Sequence, residues 1–240
     1  MLLDPSDLIS RVLLETGEWD PDTWTSIAGH LPAGGTFVDV GAHMGHCSLM
    51  ASTVVGPRGR IIAIEANPET VALLRRNIIA SAAEVEVLPE ACSESESLVD
   101  LWVASHSNTG SSSISKTNAS LAGNAQTSYR VASRTLDSVL SDLGVNEVDV
   151  LKIDVEGAEM GVLQGARKTL SGCRPILMIE LDDQLLATMG ASSDEVRRFL
   201  ASFGYRQTGL FDDANFLFMP DEEYLSPGDA ASTRQIQMTE

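Results

Sequence analysis

The chain has 240 residues and a hydrophobic fraction of 43%, enough for one sizeable domain, or two small ones, whose core needs no disulfide or structural metal. Its formal charge of −18, with basic residues only in isolated pairs such as Arg75-Arg76 and Arg197-Arg198, argues against a nucleic-acid partner. Cys47, Cys92 and Cys173 form neither a CxxC pair nor a zinc pattern, the N-terminus lacks a basic-then-apolar leader, and no apolar run reaches the length of a membrane span. Reduced thiols in a cytoplasmic protein with no membrane partner are therefore expected.

A first helix is expected over 4–16, with Asp4-Pro5 as cap and Leu8, Ile9, Val12 and Leu13 on one face, ended by Gly17. A second, over 21–31, turns Trp24 and Ile27 inward. From residue 36 onward strand and helix alternate. Strands are expected at 36–40, 60–65, 84–89, 148–153, 174–180, 205–210 and 214–219, and helices near 45–55, 68–80, 135–143, 158–170 and 193–203. Such alternation implies a mostly parallel sheet with helices on both faces. The last two strands, joined through Phe211-Asp-Asp-Ala214, read as an antiparallel hairpin at one edge.

Residues 92–133 interrupt the alternation. Short strands are expected at 98–103 and 129–132. The intervening run, beginning Ser105-His-Ser-Asn-Thr-Gly110, is too polar for a core and too long for an ordinary connection. It is either a mobile lid or a solvated insertion. The expected organisation is an N-terminal helical extension (1–34), a main domain (35–220) with a polar insertion at about 104–128, and a tail (221–240).

The chemistry is concentrated in Phe37-Val-Asp-Val-Gly-Ala-His-Met-Gly45 and Ile61-Ile-Ala-Ile-Glu65. Gly41 allows a sharp turn and a close approach of backbone to ligand, and Gly45 opens a helix whose free amides can face a polar group. A dinucleotide site has G-x-G-x-x-G here, with its second glycine against the pyrophosphate. This chain has His43 at that place, so a cofactor without a pyrophosphate fits better. Glu65, ending the second strand, can accept hydrogen bonds from ribose hydroxyls. Asp39, buried, must bond to loop amides or through water to a ligand amine. S-adenosylmethionine, with an adenosine, an amine and no phosphate, matches this set.

The chain also resembles a known group. Val38-Asp-Val-Gly-Ala-His-Met-Gly45, Ile64-Glu-Ala-Asn-Pro68, Ser133-Arg-Thr-Leu-Asp137 and the block from Val148 through Lys152-Ile-Asp-Val-Glu-Gly-Ala-Glu159 look like the FkbM family of S-adenosylmethionine-dependent methyltransferases. The resemblance covers about 36–182, leaving the N-terminal helices and the tail outside. It implies a class I methyltransferase fold, Rossmann-like, with a seven-stranded sheet and one antiparallel edge strand. It also implies methyl transfer, most often to a hydroxyl of a sugar, polyketide or other secondary metabolite. Family members commonly carry Asn where His43 stands, and often an aromatic where this chain has His46-Cys47. The cofactor set expected is Asp39, Gly41, Ala42, His43, Gly45, Glu65, Ala66, Asn67, Ala91, Cys92 and Asp154.

Asp154 and Glu156 run off the carboxyl end of the fourth main strand, where open α/β sheets place ligands. Asp154 suits the cofactor's methionine end or the acceptor. Glu156 is the first candidate for the base that takes a proton from a hydroxyl acceptor, and His43 or His46 the second. Lys152 is expected to pair with Asp154 or Glu180. Asp154, Glu156 and Glu180 can offer oxygens to a magnesium ion, which is not the favoured reading; Glu159 and Glu180 equally suit loop-orienting and capping roles. His106 and residues 107–113 can close over a hydroxylated small-molecule substrate. His30, Met178, Trp19 and Trp24 read as packing. The rival readings are N- or carboxyl-methylation, an NAD(P)-dependent oxidoreductase and a non-catalytic nucleotide-binding regulator. The oligomeric state, a homodimer included, stays open.

Overall fold

A computed structural model describes residues 1–105, 107–211 and 214–221, so that His106, the Asp212-Asp213 turn and most of the expected tail lie outside the described residues. The chain opens with α1 (Leu8–Thr16) and α2 (Pro21–His30). The cap of α1 is Asp7 rather than Asp4. Its carboxylate accepts from the Ser10 N–H, three residues into the turn, while Asp4 accepts from the Ser6 N–H before the helix begins. Then come β1 (Thr36–Val40), α3 (His46–Val55), β2 (Arg60–Ile64), α4 (Pro68–Ser81), β3 (Glu86–Leu88) and β4 (Ala91–Cys92). The middle of the chain forms β5 (Ser97–Val103), α5 (Lys116–Leu121), β6 (Thr127–Arg134), α6 (Leu136–Asp142) and β7 (Val150–Ile153). The last part forms α7 (Glu159–Gln164), α8 (Arg167–Gly172), β8 (Ile176–Glu180), α9 (Asp183–Thr188), α10 (Ser193–Ala201), β9 (Tyr205–Phe211) and β10 (Asn215–Pro220).

A seven-stranded sheet runs in the order β3-β2-β1-β7-β8-β10-β9, and β10 alone runs opposite to the other six strands. The mostly parallel sheet and the terminal hairpin agree with the expectation. One detail differs: the reversed strand lies one place in from the edge. Polarity decides this. β10 carries Phe216, Leu217 and Phe218, all buried, and takes the interior position, whereas β9 is largely exposed and takes the edge.

Side chains alternate across the sheet. Val38, Val40, Ile62, Ile64, Leu151 and Ile153 face a core completed by α6, α7, α8 and α10. Phe37, Ile61, Val150 and Met178 face the other side, where Ile27 and Leu31 of the N-terminal extension pack with Ala51 and Val55 of α3. Asp39 and Lys152 are register partners across β1 and β7. They share the parity of Phe37 and Val150 and so lie on this second face.

β4, β6 and β5 form a separate three-stranded sheet, which extends the two short strands expected from sequence. The helix expected over 158–170 is broken in two at Gly165. A Cβ there would lie 2.1 Å from the Ser93 carbonyl oxygen, so the chain passes too close for a side chain. Asp137 holds the restart: from the first turn of α6 its carboxylate accepts from the Lys168 and Thr169 N–H groups, capping α8. α5 and α9 were not expected; each is a short helix of six residues set by its own cap, Ser115 and Asp182.

Asp137→Ala is expected to lower the unfolding free energy by about 1–2 kcal/mol, the usual cost of a lost cap, as read from the midpoint of urea denaturation at unchanged slope.

Candidate active site

Parallel strands release their loops on one edge of the sheet, and there the chain encloses a cavity of about 290 Å³. Gly41 and His43 follow β1, Glu65 and Ala66 follow β2, Ala91 and Cys92 come from β4, Asp154 and Glu156 follow β7, and Glu180 ends β8. Residues 108–114 of the insertion, with Leu8, Ile9 and Trp19 of the N-terminal extension, complete the wall. A smaller cavity of about 70 Å³ adjoins it, and Ile9, Trp19, Gly41, His43 and Asp154 line both.

Gly41 has φ +84°, and a Cβ on it would lie 1.7 Å from the Asp154 carbonyl oxygen. Its close approach is to the β7 loop. The turns after β1 and β7 therefore touch backbone to backbone, and the Asp154 N–H donates to the Val40 carbonyl at 3.0 Å.

Both oxygens of Glu65 face backbone amides. They accept from the His43 N–H at 2.8 Å and the Asn67 N–H at 2.7 Å. Burial raises its pKa to about 7 against the pull of those two amides. Each oxygen keeps a lone pair for a ligand hydroxyl.

Several expected cofactor residues do not face the larger cavity. Asn67 is buried and caps α4, its amide oxygen accepting from the Glu69 N–H. Gly45 caps α3 beneath Leu74 and lines neither cavity. Asp39 and Ala42 line only the smaller one. Asp39 meets no loop amide: it accepts from the Ser48 hydroxyl at 2.7 Å and lies 3.7 Å from the Lys152 ammonium. Lys152, 8% exposed, also donates to Asp154 at 2.9 Å and has no ion pair with Glu180. Burial works against its charge, yet Asp154 and Asp39 hold its pKa above the ordinary lysine value. Asp39 itself is pushed up by burial, with Lys152 and Ser48 opposing.

Asp154, Glu156 and Glu180 bring carboxylate oxygens within 4.8 Å of one another. Glu156 stands at φ +56°, strained for a non-glycine residue, and is held there because its carbonyl accepts from Ser113 and Asn118. Burial, then Asp154 and Glu159, raise its pKa to about 8, with a Ser111 hydrogen bond opposing. Glu180 is raised well above the usual carboxylate range, first by Asp154 and then by burial. Glu159 is 1% exposed, does not line the cavity, and accepts from the Val155 and Gly157 N–H groups. It orients the loop that carries Asp154 and Glu156.

His43, at φ +50°, meets the Thr109 hydroxyl through Nε2 at 2.8 Å. His46 lines only the smaller cavity. Burial lowers the pKa of both histidines. Cys92 is pushed up to about 12 by burial and is a neutral wall residue. Trp24 packs against the second core, while Trp19 lines both cavities. Glu90, Trp19 and residues 108–114 had no pattern in the sequence that tied them to the cofactor strands. For residues 108–114 the signal was that the insertion is polar and too long for a simple connection; Glu90 and Trp19 lie outside it.

Comparison with known proteins gives three findings. Residues 39–207 match the model of the Methyltransferase FkbM domain. A stretch of 88 residues is 39% identical to part of AMB antimetabolite synthetase AmbE of Pseudomonas aeruginosa, spanning 35% of this chain and 4% of that protein. The fold is shared with a SAM dependent methyltransferase from Aquifex aeolicus, with a TM-score of 0.50, 20% identity, and 91% and 98% of the two chains covered. It is shared also with methyltransferase FkbM from Methylobacillus flagellatus, with a TM-score of 0.51, 16% identity, 90% of this chain and 62% of that one covered.

Glu159 binds its proton more tightly folded than unfolded, its pKa being raised from 4.5 to about 7 by burial. The native state therefore holds more protons across that window, and stability falls as pH rises through it. Chemical denaturation of the ligand-free protein between pH 4.5 and pH 8 is expected to show this loss, on the order of 3 kcal/mol from Glu159, and Glu159→Gln flattens the profile.

Proposed function

The chain belongs to the FkbM methyltransferase family, and on that premise we propose that it moves the methyl group of S-adenosylmethionine to a hydroxyl oxygen of a small biosynthetic metabolite. The observation that carries this reading is the charge of the larger cavity. Among the described residues it is lined by five carboxylates, Glu65, Glu90, Asp154, Glu156 and Glu180, and by no lysine or arginine. Burial and mutual repulsion hold Glu65, Glu156 and Glu180 partly protonated in the cavity; a sulfonium bearing an ammonium favours their ionised forms, whereas a pyrophosphate is repelled. That supports the methyl donor and weighs against an NAD(P) enzyme.

S-adenosylmethionine supplies an electrophilic methyl on a cationic sulfur that departs as a neutral thioether. The protein's part is to bind, align and move one proton. Glu65 accepts from the ribose hydroxyls with the lone pairs its two amides leave free. Asp154, steadied by Lys152, faces the amino-acid end. Glu156 receives the proton of the acceptor hydroxyl. Its pKa of about 8 puts it near the operating pH, and the Ser113 and Asn118 hydrogen bonds fix its backbone against strain. Walls of Asn108, Ser111 and Ser112 offer amide and hydroxyl partners to a hydroxylated acceptor. Similarity to part of a protein named antimetabolite synthetase supports an acceptor of biosynthetic type. The spacing of Asp154, Glu156 and Glu180 also suits a magnesium ion, which would lower the pKa of an acceptor hydroxyl. Glu156, with no metal, takes that proton.

Isothermal titration is expected to give S-adenosylhomocysteine a micromolar or tighter Kd and NAD weak binding or none; the reverse order overturns the reading. Glu65→Ala is expected to weaken S-adenosylhomocysteine by tenfold or more, since hydrogen bonds to a charged acceptor contribute about 1.5–3 kcal/mol each. With isotopically labelled methyl donor and a panel of hydroxylated metabolites, Glu156→Gln is expected to cut transfer by about 100-fold or more. Chelation followed by magnesium add-back leaves the wild-type rate unchanged; a rate that collapses and recovers moves the proton's ionisation from Glu156 to the metal.

A further inference from the structure

The N-terminal extension lies outside the matched family region, yet its Asp7 reaches into the site. Asp7 is 3% exposed, and one of its oxygens caps α1 through the Ser10 N–H. The other accepts from both the Thr109 N–H at 3.1 Å and the Thr109 hydroxyl at 2.9 Å. That hydroxyl has a single proton, and it is spent on Asp7. Thr109 Oγ1 can then only accept from His43, 2.8 Å away, so Nε2 must carry the ring's proton. Nδ1 is left with its lone pair and has no hydrogen-bond partner among the described residues. The ring's position is set from both sides, because the His43 N–H is held by Glu65 and the Leu8 N–H ties α1 to the Ser107 carbonyl.

We propose that Asp7 and Thr109 are positioning residues that hold His43 as its Nε2–H tautomer, so that the bare Nδ1 accepts a hydrogen bond from the ammonium of S-adenosylmethionine where the two cavities meet. The proposal rests on the donor assigned above. His43 and Asp154 line both cavities and there offer an ammonium one neutral and one charged acceptor. An imidazolium would repel the ammonium, and burial favours the neutral ring. A hydrogen-bond chain that spends the ring's N–H on Thr109 also excludes the tautomer with Nδ1 protonated, which could only present a donor to a donor. The extension that builds the cavity wall thereby selects the chemical character of a cofactor-facing atom.

The test uses the full chain. Long-range proton–nitrogen NMR of the histidine rings, with His43 assigned by His43→Gln, is expected to show a neutral ring protonated at Nε2. Asp7→Ser retains a capping hydroxyl for α1 while releasing Thr109, and the two tautomers are expected to mix. Calorimetry then compares S-adenosylhomocysteine, which carries the ammonium, with 5′-methylthioadenosine, which lacks the amino-acid end. Thr109→Val is expected to weaken the first about tenfold and the second less than twofold, and Thr109→Ser to restore both. A wild-type ring protonated at Nδ1, or a Thr109→Val variant that weakens both ligands equally or neither, overturns the proposal. If wild-type protein binds neither adenosine ligand, the donor assignment falls with the ammonium contact, while the tautomer spectrum still decides whether the relay exists.

Discussion

A buried cation between two carboxylates organises this molecule. Lys152 sits within the sheet, its ammonium 2.9 Å from Asp154 and 3.7 Å from Asp39, its register partner on the adjoining strand. Burying such charges is costly unless they are paired, and removing one partner from a buried pair typically costs about 3–5 kcal/mol. The pairing therefore ties β1 to β7 at the edge where both strands end. It also sets the carboxylate of Asp154 at the mouth of the site in a chain carrying a net charge of −18. The turns above it are then fixed by contact, with Gly41 directly against the Asp154 backbone.

Around that floor the wall comes from segments far apart in sequence. Residues 108–114 are anchored three ways: Thr109 to Asp7, Ser113 to the Glu156 carbonyl, and Asn118, just beyond, to both Glu156 and Leu185. These bonds hold in place the left-handed backbone at Glu156, as Glu65 does at His43. Strained residues cost on the order of 1–3 kcal/mol each and persist only where the surroundings over-determine them. Here both lie at the cavity, so the hydrogen bonds that stabilise the wall also aim the two candidate reactive side chains. The insertion is a structural part of the site, built largely from short polar side chains that satisfy loop backbone.

Much of this was legible in the sequence. Strand and helix periods located the main sheet, because buried parallel strands leave continuous apolar runs such as Phe37 to Val40 and Ile61 to Ile64. The carboxylates at strand ends were legible as well, since ligands in open sheets gather there. Partners were harder to read. Asp39 carries the same motif signal whether it binds loop amides or Lys152, and only the register between β1 and β7 decides. Asn67 and Gly45 occupy motif positions, yet their places in the fold make them caps. The break at Gly165 depends on how near the Ser93 carbonyl passes, which no local pattern encodes.

The sequence alone thus determined the order of layers, the edge of the sheet where the cavity lies and the absence of a dinucleotide glycine pattern, because these follow from local periodicity and from residue types at fixed short spacings. Tertiary structure decided which groups meet: Lys152 with Asp39, Asp7 with Thr109 and through it His43, and the N-terminal helices with a cavity otherwise built by the methyltransferase domain. Those side-chain contacts join residues 66 to 113 positions apart in the chain. Their partners are chosen by strand register and helix docking, properties of the whole packed sheet that no single stretch of sequence contains.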